Sequence, residues 1–207
     1  MSAYNSDIHR LKRGLKQTVL FQQYNPSILI AARVMRQGGV IAYPTEAVWG
    51  LGCLPDNEEA VHRILSLKQR HVSKGLILVA SSIAQFEPYL RHITVEQRKT
   101  LENSWPGPFT WLVPHHNTVP SWVSGKHSSI ALRVSNHPHV RYLCNAVGGP
   151  IVSTSANPQG KPAPKQTWQV KRYFKHQPEL DWIVSGCVGQ RAEPSTITDL
   201  VTGVVIR

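Results

Sequence analysis

Apolar positions recur with two different periods along this chain. In SILIAARVMRQGG, Ile28, Ala31, Ala32 and Met35 fall at helical spacing, and Gly38-Gly39 supplies a stop before the short apolar run VIAY. Asp56 stands where it can cap NEEAVHRILSLKQR, whose Ala60, Val61, Ile64 and Leu65 form a second apolar stripe. The acidic first turn and basic last turn of that segment suit a helix dipole. GLILVA is continuous enough for a buried strand. Thr94 and Gln97 have capping-box spacing ahead of a short helix, and FTWLV and SIALRV read as strands. Asn136 and Pro138 open the helix HVRYLCNAV, which Gly148-Gly149 closes before the strand PIVST. PQGKPAPKQT predicts a mobile surface loop, DWIVSG a strand, and ITDLVTGVVIR a hairpin about Thr202-Gly203. Strands alternating with helices predict an α/β fold with helices on both faces of the sheet.

Composition places these elements in one globular domain. At 207 residues, 41% hydrophobic and 17% charged, the chain can bury a core, and no apolar run approaches the roughly eighteen residues of a membrane span. The expectation is a protein in solution in the cytoplasm, with no membrane. Its first residues, MSAYNSDIHRLKRGLK, lack the apolar centre of a secretory signal and read as a basic extension over 1–24, ahead of a domain over 25–207. Twenty-three Lys and Arg against twelve Asp and Glu leave a formal charge of +11, which attracts nucleotides, RNA or acidic head groups and equally serves solubility. Cys53, Cys144 and Cys187 are far apart and form no C-x-x-C pair, which argues for buried, reduced thiols. His115-His116 and the pair His137 and His139 match no metal pattern and read as surface or capping residues.

Several strands end in polar clusters: VIAY in PTE, PIV in STSAN, SIALRV in SNHP. In open α/β sheets the carboxyl ends of strands surround the ligand crevice, so these loops are expected to converge on one site, although Ser, Thr and Asn also serve ordinary turns and caps. Lys68, Arg70 and Lys74 lie at the end of the second helix and in the loop beyond it, where cations satisfy a helix terminus or face a bound anion. No G-x-x-x-x-G-K-[ST] or G-x-G-x-x-G loop occurs, so a nucleotide would be held by side chains and scattered backbone donors; no G-x-S-x-G elbow occurs either.

YPTEAVWGLG, LKQR with SKGL, WPGPFT, ALRVSNHP, STSAN and PSTITD follow one another from Tyr43 to Asp199. In these motifs the chain resembles the YrdC-type threonylcarbamoyl-AMP synthases, in their short bacterial form. The resemblance implies a single domain with a twisted mixed sheet, flanked by helices and enclosing a large basic cavity. It implies a nucleotidyltransferase that converts L-threonine, bicarbonate and ATP into threonylcarbamoyl-AMP and pyrophosphate, with Mg²⁺ held mostly by phosphates and water. A separate threonylcarbamoyl transferase complex would then modify an adenosine beside the anticodon of certain tRNAs.

On this resemblance Thr45 lies near the threonine and the reacting carbamate, and Lys68, Arg70 and Lys74 neutralise the phosphates. Ser153, Ser155 and Asn157 offer hydroxyl and amide groups to phosphate or threonine, and Thr110 and Arg133 surround the substrates. Arg191 and Ser195 belong to the nucleotide side. No protein metal ligands are expected. Ala47, Val48 and Trp49 stand where many members of the family carry Thr-Val-Tyr, so the two hydroxyls of that pattern are missing. The competing reading is a non-catalytic protein that binds tRNA or double-stranded RNA in the basic cavity. The basic, aromatic stretch KQTWQVKRYFKH suits RNA, or equally a helix that packs Trp168 and Phe174.

Overall fold

Asn25 accepts a hydrogen bond from Ser27 N at 2.9 Å and so caps helix α1 (Pro26–Arg36), whose Ile28, Ala31, Ala32 and Met35 are buried as their spacing predicts. The computed structural model describes residues 25–191 and 195–206; the extension expected over 1–24 lies outside the described residues. Strands β1 (Ile41–Pro44) and β2 (Trp49–Gly52) form a hairpin and precede α2 (Glu58–Lys68) and β3 (Ile77–Ala80). Then come α3 (Val95–Ser104), β4 (Phe109–Pro114), the single turn α4 (Ser121–Ser124) and β5 (Ser129–Val134). Helix α5 (Pro138–Val147), β6 (Ile151–Ser155), α6 (Thr167–Phe174), β7 (Trp182–Ile183) and β8 (Thr196–Asp199) complete the order. The predicted capping box at Thr94 and Gln97 is present, and Gly148 ends α5 at φ 84°. The C-terminal residues turn back on β8 through the Thr198–Val205 bridge, with Gly203 N donating to Asp199 O.

Two caps differ from expectation. Asn57, one residue beyond Asp56, accepts from Ala60 N at 2.8 Å, because α2 starts at Glu58. His137, one residue beyond Asn136, holds the cap position of α5 without a side-chain bond, and its own N–H is taken by Ser135 Oγ. His115 and His137 are buried rather than superficial, and Cys187 is exposed while Cys53 and Cys144 are buried. Cys187 lies in the irregular stretch after the two-residue β7, where nothing covers it as a strand would be covered. The 158–166 loop is not loose. Pro164 O accepts from Trp49 N at 2.8 Å and Gln159 N donates to Lys68 O at 2.8 Å, which ties it to β2 and α2.

The strands join one eight-stranded sheet in the order β7-β1-β2-β6-β3-β5-β4-β8, mixed in direction. Its first face packs on α2, α3, α4 and α6 through residues such as Leu51, Leu78, Leu132, Ile64, Leu101 and Phe174. On the second face Ile41, Tyr43, Val79 and Ile151 pack against Ile28, Met35, Val140 and Leu143 of α1 and α5. Helices thus flank both faces, but on the second they cover only one end. No described helix is long and apolar enough to cross a membrane.

Tyr43 spans the border of that covered end. Its ring crosses β2 above Gly50 and Gly52, and its hydroxyl donates to Ser153 Oγ on β6 at 2.7 Å. A Cβ at Gly52 would lie 2.8 Å from Tyr43 Cε1 and 2.8 Å from Val152 O, and the carbonyl cannot swing aside. Gly52→Ala is therefore expected to lower unfolding free energy by about 1–3 kcal/mol in chemical denaturation. Gly149→Ala, where an added Cβ meets nothing within 4 Å, leaves it within about 0.5 kcal/mol.

Candidate active site

The uncovered end of the second sheet face forms a cavity of about 760 Å³. Strand periodicity decides which residues reach it. On β5, Ser129, Ala131 and Arg133 line the cavity, while Leu132 and Val134 enter the opposite core. Ile77 on β3, Ser153 and Ser155 on β6, and Thr110 and Leu112 on β4 contribute in the same alternation, and Ser195 and Ile197 close the far side. Residues of PTE and STSAN do line this one cavity, and Ser135 of SNHP reaches it through Glu46, but the floor they surround is a sheet face rather than a single edge of strand carboxyl ends. The reason is strand direction: β5 pairs parallel with β3, which is antiparallel to β6, so the ends of β5 and β6 cannot share one edge.

The β1–β2 turn folds over this floor. Thr45 N and Oγ1 both donate to Val48 O, at 3.1 and 2.7 Å, and Gly189 N and Arg191 N donate back to Thr45 O and Glu46 O. Glu46 Oε1 then meets Arg133 Nη2 at 2.8 Å and accepts from Ser135 Oγ at 2.8 Å. In a flat sheet β1 and β5 would stand about 19 Å apart, four strand spacings, so twist and two long side chains must close the gap. Arg133 Nε also donates to Gly107 O at 3.2 Å. Burial pulls the Arg133 pKa down and Glu46 pushes it back up, and a guanidinium stays charged throughout. Among the described residues Glu46 is the one carboxylate on a wall that carries Arg70, Lys74, Arg133, Lys165 and Arg191.

The predicted phosphate residues separate into two groups. Arg70 and Lys74 line the cavity. Arg70 Nη2 donates to Lys74 O and Gly75 O, at 3.2 and 2.9 Å, while its buried Nε has no partner among the described residues. Lys68 does not line it. Its buried ammonium donates to Ser155 O and, at 3.0 Å, to Asn157 O, with Ser155 Oγ at 3.4 Å. Burial, and secondly Arg70, lower its pKa to about 8. Asn157 is also absent from the lining; its Nδ2 donates to Lys161 O at 2.6 Å and holds the next turn.

The remaining predicted residues face the cavity together. Thr110 Oγ1 and Ser195 Oγ lie 2.8 Å apart, Ser153 Oγ accepts from Tyr43, and Arg191 and Thr45 complete the wall. Of the residues that depart from the family pattern, Ala47 lines the cavity, whereas Trp49 points into the core with 0% exposure. Sequence reasoning placed the PTE turn at the site but gave Glu46 no role there, and it missed Lys165. Glu46 was visible inside PTE, but only its ion pair with Arg133 reveals it. Among the described residues no group of three or more His, Cys, Asp or Glu could hold a metal, and the cavity's carboxylate is already engaged.

The model of the Sua5/yciO/yrdC family, described as "Telomere recombination", matches residues 33–207. The threonylcarbamoyl-AMP synthase of Cellvibrio japonicus (strain Ueda107) is 55% identical over 183 residues, covering 88% of this chain and 96% of that protein. The protein of the same name from Pseudomonas aeruginosa (strain UCBPP-PA14) is 55% identical over 177 residues, 86% of this chain and 94% of its own. Among solved structures, P. abyssi Sua5 complexed with L-threonine superposes with a TM-score of 0.80 at 33% identity over 87% of this chain. The present chain spans 53% of that Sua5 chain, about half. E. coli YciO superposes with a TM-score of 0.75 at 28% identity, covering 87% of both chains. The chain belongs to the Sua5/YciO/YrdC family.

Proposed function

We propose that this chain is a threonylcarbamoyl-AMP synthase, a nucleotidyltransferase that joins L-threonine, bicarbonate and ATP. The observation that carries the reading is the charge of the cavity: among the described residues Arg70, Lys74, Arg133, Lys165 and Arg191 surround the paired carboxylate of Glu46, in a space of about 760 Å³. Threonine's amine and bicarbonate form a carbamate with loss of water. A carbamate oxygen attacks the α-phosphorus of ATP, the bond to the bridging oxygen breaks, and pyrophosphate leaves with the electron pair. Both reactants are anions, so the protein's task is to neutralise and align them rather than to provide a nucleophile.

Hydroxyl polarity assigns the substrate ends. Thr45 has spent its hydrogen on Val48 O, so its oxygen is left to accept from an amine, which fits the threonine nitrogen. Ser153 accepts from Tyr43 and keeps its own hydrogen for an oxyanion. Thr110 and Ser195, hydrogen-bonded to each other at 2.8 Å, set a hydroxyl pair against the substrates. Arg133, oriented by Glu46 and Gly107 O, presents its remaining terminal nitrogen to a carboxylate or the α-phosphate. Arg70, Lys74, Lys165 and Arg191 take the phosphates, with Mg²⁺ neutralising them further when it accompanies ATP. Ser155 serves the nucleotide side. Lys68 and Asn157 act as positioning residues that hold the end of β6, in place of the direct phosphate contact their motifs imply. The product is a mixed anhydride that reacts with water, so a threonylcarbamoyl transferase complex acting on tRNA in the cytoplasm is its expected consumer. Non-catalytic RNA binding in this cavity is not favoured beside relatives of 55% identity named for an enzyme.

With ATP and Mg²⁺ the protein is expected to release pyrophosphate only when threonine and bicarbonate are both present; release that ignores either substrate contradicts the assignment. Arg70→Ala is expected to lower kcat/KM about 10²–10³-fold in that assay. Lys68 gives a separate prediction in stability. Between about 8 and the ordinary 10.5 the unfolded chain keeps a proton that the folded chain has released. This group therefore makes stability rise with pH across that window, and its contribution is lost as pH falls through about 8. Chemical denaturation of wild type and Lys68→Met should show their difference in unfolding free energy moving towards wild type as pH rises through the window. A flat difference would mean that the ammonium is not desolvated.

A further inference from the structure

Helix α6 hides Val170 and Phe174, at 0% and 5% exposure, and turns Trp168 outwards at 59%. The packing expected for Phe174 is present, whereas Trp168 lies outside the core. An indole left in water is the unusual observation, since large aromatic side chains are ordinarily well buried. Lys171, Arg172 and Lys175 follow Trp168 at i+3, i+4 and i+7, the spacing of one helix face, and all are exposed. No Asp or Glu occurs between Glu102 and Glu179, so no neighbour in sequence neutralises this face.

The face has a shape as well as a charge. Trp168, Arg172 and Tyr173 line a groove of about 340 Å³ together with Lys161 and Gln169. Tyr173 is fixed by its hydroxyl, which donates to Pro162 O at 3.0 Å. Gln169 Oε1 accepts from Lys165 N and Gln166 N, at 2.7 and 2.9 Å, which leaves its amide NH₂ as the end available to a ligand. None of the groove residues lines the catalytic cavity.

The geometry points to this groove as a docking site for an unpaired stretch of nucleic acid, one base stacked on Trp168 and the flanking phosphates on Lys171, Arg172 and Lys175. A planar indole beside a guanidinium and a phenol takes a base face, an amide donor takes a base-edge acceptor, and cations without acids take phosphates. An acidic peptide would use the cations but would leave the indole and the amide without a function. The site is independent of the synthase reading, because it needs neither ATP nor threonine.

Fluorescence anisotropy with short labelled single strands of RNA and of DNA, of one mixed sequence, tests it with saturating ATP present to occupy the cavity. The expected result is that Trp168→Ala weakens binding of at least one strand about 5- to 150-fold, while Trp168→Phe retains most of it. Lys171→Gln and Arg172→Gln should each reduce the slope of log affinity against log salt by about 0.7. Pyrophosphate release by all four variants stays at the wild-type rate. The RNA and DNA arms identify which strand is taken. Equal affinity of wild type and Trp168→Ala for both strands overturns the proposal, as does labelled polyglutamate binding the wild type with the same dependence on Trp168.

Discussion

The phenol of Tyr43 stands on the line that divides one sheet face into core and cavity. Its ring packs with Ile41, Val79 and Ile151 beneath α1 and α5, and its hydroxyl reaches Ser153 where the cavity begins. The polar residues that the sheet itself gives the site, among them Thr110, Ser129, Arg133 and Ser153, lie beyond that line, and loops supply the rest of the wall. The ring can cross β2 only because Gly50 and Gly52 put no side chain beneath it. Burial pushes the Tyr43 pKa up, which keeps the hydroxyl protonated and fixes its direction of donation towards Ser153. A neutral donor thereby sets the polarity of a site whose ligands are anions.

Charge is distributed along the same boundary. A cavity walled by five cations would repel itself, and Glu46 relieves this at one point by pairing with Arg133 in partly buried surroundings. Removing one partner of such a pair leaves the other charge uncompensated, which is costlier than never having had the pair. The turn that carries Glu46 is anchored by its own backbone to Gly189 and Arg191, so these two residues and the β1–β2 turn stand over the floor together. Lys68 works from behind the wall, fastening the carbonyls of Ser155 and Asn157. Rigid walls of this sort suit a reaction in which aligning two anions is the main difficulty.

Much of this was legible in the chain. The helical stripes of α1 and α2 and the capping box of Thr94 appear where the pattern puts them, because each depends on contacts within a few residues. Residues of the motifs also converge: Thr45, Arg70, Lys74, Thr110, Arg133, Ser153, Ser155, Arg191 and Ser195 all face one cavity. Lys68 and Arg70 show the limit of such reading. They are two residues apart in one motif, yet the end of α2 sends one ammonium behind β6 and one guanidinium into the cavity. The same holds for Ala47 and Trp49: Ala47 sits in the β1–β2 turn against the cavity, whereas Trp49 opens β2 and enters the core.

What the sequence determined by itself was local: helix faces, caps, turn glycines, the net positive charge and the ordered motifs that identify the family. Tertiary structure alone decided the strand order, that the site rests on the sheet's face, and that Glu46 meets Arg133. It also decided that Trp168 remains in solvent while Phe174 does not. The physical reason is that strand direction, sheet curvature and the reach of a helix over a sheet depend on pairings between residues far apart in the chain, and a pattern of neighbours carries no record of them.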